Sequence, residues 1–169
     1  TWASFVDSSS DLGHTITPGD GATQSTAQSK FGGSSIYFDG TDDTLTLPDS
    51  NDWAFGSGNF TIDFWIRFDA VNSCDTLIKH RQNDSEQFYL YYTGCGTPTL
   101  EFIVASGGFA IINHTTSWSP SVNTWYHIAV VRSGNDFKTY IDGTQIGSTT
   151  TDSDAFPDYN GPLHISGFP

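Results

Sequence analysis

The stretch Phe60-Thr-Ile-Asp-Phe-Trp-Ile-Arg-Phe68 decides the fold. Phe60, Ile62, Phe64, Ile66 and Phe68 share one phase of a two-residue period; Thr61, Asp63, Trp65 and Arg67 share the other. Strict alternation of this kind describes an antiparallel strand with one face on a core and the other toward solvent. Outward from it, short runs of strand formers recur at 34–38, 44–47, 76–79, 88–92, 99–104, 110–113, 125–132, 137–141, 144–148 and 163–166. Weaker candidates lie at 2–6 and 14–17. Asp142-Gly143 predicts a two-residue hairpin turn, because both residues tolerate the positive φ of a type I′ turn. No segment sustains helical periodicity with caps. Many short strands between turn residues predict an all-β fold, a sandwich or barrel, as a single domain over 1–169.

Composition narrows the function classes. A chain of 169 residues buries about two-thirds of its unfolded surface, enough for one core. The formal net charge is −13, and of 19 acidic residues only Glu86 and Glu101 are Glu. Such a surface repels phosphate backbones and anionic bilayers, which argues against nucleic acid and membrane partners. No apolar run approaches the roughly 20 residues that cross a bilayer, so membrane insertion is not expected. The carboxylate surplus favours bound Ca²⁺ and solubility. With no Met and no signal-peptide pattern, Thr1 is expected to be a processed or excised start.

The two cysteines gain meaning from the hairpin around them. Runs at 75–80 and 87–92 flank the polar loop 81–86. Antiparallel pairing about that loop sets residues whose numbers sum to about 169 (a register estimate) opposite one another. Cys74 and Cys95 meet that condition at the open end of the hairpin, where a cross-strand disulfide has acceptable geometry. The alternative is two free thiols. A disulfide would stabilise by about 3 kcal/mol in the chain-entropy model and would imply an oxidising compartment.

Two blocks of sequence then carry a family resemblance. The first is Phe31-Gly-Gly-Ser-Ser-Ile-Tyr-Phe-Asp-Gly40, followed by Asp43, Pro48-Asp49 and Phe55-Gly-Ser-Gly-Asn-Phe-Thr-Ile-Asp-Phe-Trp-Ile66. The second is Trp125-Tyr-His-Ile-Ala-Val-Val-Arg132, Tyr140-Ile-Asp-Gly143 and Gly161-Pro-Leu-His-Ile165. In this order they resemble laminin-G-like members of the concanavalin A-like lectin/glucanase superfamily over roughly 28–167. The resemblance implies a jelly-roll sandwich of two curved antiparallel sheets, with Ca²⁺-assisted carbohydrate or protein binding in many relatives. It also implies a strand ahead of 7–14, of which Trp2 and Phe5 would be a degenerate version. A final strand with Gly-x-Ile-Asp-Glu would follow 163–167. That strand is not in this sequence, so the expectation is a domain completed by further chain or by a neighbouring subunit.

Three site readings follow. Asp39, Asp42 and Asp43 cluster on a Gly-containing turn and are candidate oxygen ligands for Ca²⁺; the competing reading is turn chemistry, with carboxylates bonding nearby amides. Asp152, Asp154 and Asp158 form a second acidic loop, read as solvated. Trp65, Tyr89 and Tyr91 occupy the off-core phase of their strands. Aromatic rings on a sheet face stack against sugar rings while neighbouring polar groups bond the hydroxyls; the competing reading is burial under a loop or partner. Trp118 and Trp125 read as core or strand-start residues.

Catalysis finds no support. Relatives that hydrolyse glucans resemble one another in carboxylates at alternate positions of one strand, the arrangement a retaining double displacement uses. Glu86 and Glu101 lie in no such motif, Asp63 has no acidic partner two residues away, and the five histidines are scattered. The expectation is a non-catalytic recognition module for a glycan, on a secreted protein or a phage or virus surface. The alternative is a structural decoration or fibre domain whose partner is a neighbouring subunit in an oligomer or larger assembly.

Overall fold

A computed structural model describes residues 5–9, 13–19 and 21–166. Among these described residues thirteen strands follow one another: β1 (Thr17–Gly19), β2 (Thr23–Ser25), β3 (Ser35–Tyr37), β4 (Thr44–Leu47), β5 (Phe60–Arg67), β6 (Cys74–Asn83), β7 (Glu86–Thr93), β8 (Thr99–Ser106), β9 (Phe109–Ser117), β10 (Trp125–Ser133), β11 (Asp136–Ile141), β12 (Thr144–Thr151) and β13 (Leu163–Ile165). A 3₁₀ turn, Asn51–Trp53, carries the Ser50 side chain as its cap. One antiparallel sheet has the order β1-β4-β13-β6-β7-β8-β9, the second β12-β11-β10-β5, and β2-β3 form a separate ribbon. The candidate strand at 2–6 falls mostly outside the described residues; Val6 makes an isolated bridge to Thr15.

The alternation in β5 is realised as read, with Phe60, Ile62, Phe64 and Ile66 turned to the core and Thr61, Asp63 and Trp65 exposed. The two sheets meet through aromatic rings. Phe102 of β8 faces Phe137 of β11 with centroids 6.2 Å apart, and Phe60 of β5 lies 5.8 Å from Phe102. Offset and edge-to-face rings of this kind add about 1 kcal/mol per pair beyond their burial. Phe88, Leu90, Val104, Ile112, Ile128 and Val130 fill the layer between. Asp142 and Gly143 both take positive φ, 50° and 79°, between β11 and β12, as the type I′ expectation requires.

The β6–β7 hairpin is tighter at its tip than the sequence suggests. Strand pairing runs to Asn83↔Glu86, leaving only Asp84 and Ser85 as the turn. Two irregularities in β6 then shift the register, so that Cys74 pairs with Thr93. The bulge near Leu77 lets both Leu77 and Ile78 face the core. Cys95 thus lies just past the end of β7, and it still forms the disulfide with Cys74 across a Cα separation of 5.3 Å. The Gly94 amide donating to the Ser73 carbonyl holds the two segments together.

β5 is the edge of its sheet among the described residues, pairing only with β10. Beside it a groove of about 270 Å³ opens between the sheets, lined by Trp53, Phe55, Ile62, Ile78, Phe88 and Leu163 among others.

Candidate functional site

The solvent face of the seven-stranded sheet is built by simple register. Leu163 and Ile165 of β13 pack on the core, so His164 between them points outward. Its cross-strand neighbours are Thr46 on one side and Lys79 on the other. Lys79 stands opposite Tyr89, Tyr89 opposite Ile103, and Ile103 opposite Asn113. A second row, one step along the strands, reads Thr76, Tyr91, Glu101 and Thr115. Residues two apart on a strand share a face, so the rows stack into one platform.

Two features give the platform chemistry. Tyr89 and Tyr91 are half-buried, with ring centroids 6.4 Å apart and nearly perpendicular planes. Beside them the Glu101 carboxylate is fixed, accepting hydrogen bonds from the Thr93 hydroxyl at 3.0 Å and the Thr99 hydroxyl at 2.8 Å. Burial, and then the Glu101 charge, raises the Tyr89 phenol above its ordinary range; burial chiefly does the same for Tyr91. Both therefore stay protonated donors at physiological pH. Glu86, the other Glu, accepts from the Ser106 hydroxyl and the Gly107 amide, a bond that ties β7 to the β8–β9 turn.

Trp65 lies elsewhere. It projects from the outer face of the four-stranded sheet, on the opposite side of the core from Tyr89 and Tyr91. Its ring is already in company: Lys30 Nζ sits 4.1 Å over the ring centroid, Phe31 meets it edge-on at 5.6 Å, and His127 lies 5.3 Å away. His127 Nε2 in turn approaches Asp63 Oδ2 at 2.8 Å. The three aromatics of the sequence reading thus divide between two surfaces. Alternation along a strand reports inside against outside, and carries no information on which sheet the strand joins. Trp118 packs against Phe68, Tyr92 and Tyr126 in the core margin.

The Asp39–Asp43 turn separates its carboxylates. Asp39 accepts from the Thr41 amide at 2.7 Å, and Asp42 stands exposed with φ 62°. Asp43 is buried; Oδ2 accepts from the Asp39 amide, while Oδ1 has no hydrogen-bond partner. Gly21 makes room for it, since a Cβ there would run into the carboxylate. Among the described residues no three His, Cys, Asp or Glu side chains gather to hold a metal. The fit to Ca²⁺ therefore rests on Asp43 alone. In the other acidic loop Asp152 accepts from the Asp154 amide.

A family model described as the Concanavalin A-like lectin/glucanases superfamily, laminin-G type, matches residues 39–167. No curated protein matches the chain. Among solved structures, domain 4 of AbnA, a GH43 extracellular arabinanase from Geobacillus stearothermophilus in complex with arabinotriose, is similar with a TM-score of 0.67 and 18% identity. That match covers 90% of this chain and 72% of the other. The binding domain of botulinum neurotoxin serotype D matches at TM-score 0.71 and 16% identity, over 95% of this chain and 40% of that one. The enzymatically active domain of tailspike protein 2 of bacteriophage CBA120 matches at TM-score 0.62 and 13% identity, over 90% of this chain and 25% of that one. At these identities the likeness is one of fold.

Proposed function

The chain belongs to the concanavalin A-like lectin/glucanases superfamily, and we propose that this domain is a non-catalytic module that binds carbohydrate on the outer face of its seven-stranded sheet. The observation that carries the reading is the Tyr89–Tyr91 pair beside a Glu101 carboxylate held in place by two threonine hydroxyls. The rings offer apolar area to sugar faces, and the carboxylate accepts from sugar hydroxyls. Trp65 is the weaker platform, because Lys30, Phe31 and His127 already surround its ring. The disulfide and the likeness to an extracellular arabinanase domain and a phage tailspike support an extracellular or virion-surface setting.

The test is a glycan array probed with the folded chain and its Y91A and W65A variants. Binding that is lost in Y91A and kept in W65A supports the site. Binding lost only in W65A would move it to the other sheet, and turnover of any bound glycan would refute the non-catalytic reading.

A second reading has its own observation. The open edge of β5 and the apolar groove beside it are suited to a strand from a neighbouring subunit. A chain that binds no glycan yet sediments as a defined oligomer, and becomes monomeric in I62K, would favour this structural role.

Ca²⁺ belongs to the proposal only through Asp43, whose unpartnered buried oxygen is suited to a hard cation. Its contribution would be to fix the turn 39–43.

A further inference from the structure

We propose that the Tyr89 end of the platform selects sugars bearing a carboxylate, so that the ligand is an acidic glycan. This inference rests on the carbohydrate-binding reading above and names the ligand class for the same face. Its basis is a local reversal of charge. The chain carries −13 overall and only six Lys and Arg residues. Two of these six, Lys79 and Arg81, stand two apart on β6, and His164 is the cross-strand neighbour of Lys79. All three share the outer face with Tyr89, which Lys79 directly opposes; the two cations are Lys79 and Arg81, and the neutral His164 ring adds a polar edge.

Electrostatic coupling within the strip agrees with this placement. The nearby Arg81 charge lowers the Lys79 ammonium, after burial, and both lower the His164 imidazole, again after burial. Arg81 also holds Asp84 at the hairpin tip. An ammonium carries three donors and a guanidinium five, so a ligand carboxylate can join existing partners instead of displacing them.

The spacing fits a pyranose. Neighbouring strands lie about 4.8 Å apart, close to the width of one sugar ring. A ring stacked on Tyr89 therefore carries its substituents over Lys79. The Glu101 charge is felt at Tyr89 but lies farther from Lys79. It sits two strands and two residues from Lys79, about 12 Å by strand geometry, beyond the Debye length of about 8 Å at physiological salt. Asp84, paired with Arg81, is an acidic charge that also reaches Lys79. The platform is thus polar along its length, basic at Tyr89 and acidic at Tyr91. A glycan with an acidic residue next to a neutral one complements both ends.

The experiment uses an array of matched pairs: oligogalacturonates with their methyl esters, and xylo-oligosaccharides with and without a glucuronate branch, in calcium-free buffer. The expected result is binding of the acidic members about tenfold tighter than of their neutral partners, the size of one charged hydrogen bond. K79Q should bring the ratio of acidic to neutral affinity to about one, and K79R should keep the preference; melting curves of both variants record that they fold. Equal or tighter binding of the neutral members would overturn the charge inference and leave the glycan reading standing. An acidic preference that survives in K79Q would also overturn it. No binding to any member of a broad glycan array would overturn both readings together.

Discussion

His114 and Thr139 join the two sheets of the sandwich. The imidazole on β9 is buried, and its Nε2 lies 2.9 Å from the Thr139 hydroxyl on β11; Nδ1 lies 2.8 Å from Thr150 on β12. Hydroxyls donate or accept, so the neutral ring is satisfied in either tautomer.

Acid should weaken the fold through this ring. Burial lowers the proton affinity of His114, and burial is also the largest cause of the lowering at His80 and His164. Each therefore binds a proton more readily when unfolded. The stabilisation is complete above the unfolded value near pH 6.5 and is lost as pH falls below it. Urea midpoints should drop between pH 7.5 and 5.5, and H114Q should show a smaller drop. A midpoint that rises on acidification would mean that relief of the −13 charge dominates.

Reducing the Cys74–Cys95 bond should cost about 3 kcal/mol with the fold retained, since the bridge spans 21 positions of sequence. Urea unfolding with and without dithiothreitol measures it. A loss below about 1 kcal/mol would mean that the Gly94–Ser73 backbone bond already closes the loop.

The sequence reading reached some of these features and missed others for identifiable reasons. The period of two in β5 and the Asp142-Gly143 turn were legible because each is a local property of the backbone. The bulges of β6 were not, since an extra residue leaves no mark on composition; they move the partner of Cys74 from the expected position to Thr93. The off-core phase of Tyr89 and Tyr91 was legible, yet the sheet they face was not. Arg132 is the plainest failure. A charged residue at the end of WYHIAVVR is not an obvious core residue, and it proves to be 1% exposed. The signal was tertiary, in loops distant along the chain.

Arg132 should be correspondingly intolerant. Its guanidinium donates to the carbonyls of Gly134 at 3.0 Å, Gly56 at 3.1 Å and Asp154 at 2.9 Å, with Phe137 below it. It thereby pins the loop before β5 and the segment after β12. R132K cannot reach all three carbonyls from one nitrogen, and should lose about 3 kcal/mol, the value of one or two charged hydrogen bonds. A change under 1 kcal/mol in its urea midpoint would show that water replaces the guanidinium.

Asp43 sets the last prediction. A buried carboxylate oxygen with no donor is unfavourable, and a cation removes the penalty. A ligand held only by the folded chain raises stability, by about 2.7 kcal/mol at a hundredfold excess over Kd. Millimolar Ca²⁺ should then raise the wild-type melting temperature and leave D43N unmoved. Mg²⁺ should do less, because it demands octahedral geometry and gives up its water reluctantly. Asn at this position keeps an oxygen for the Asp39 amide, so D43N should still fold. Melting curves in EDTA, Ca²⁺ and Mg²⁺ separate the outcomes. Equal midpoints in Ca²⁺ and EDTA would remove the metal and leave Asp43 as an acceptor for the turn amide alone.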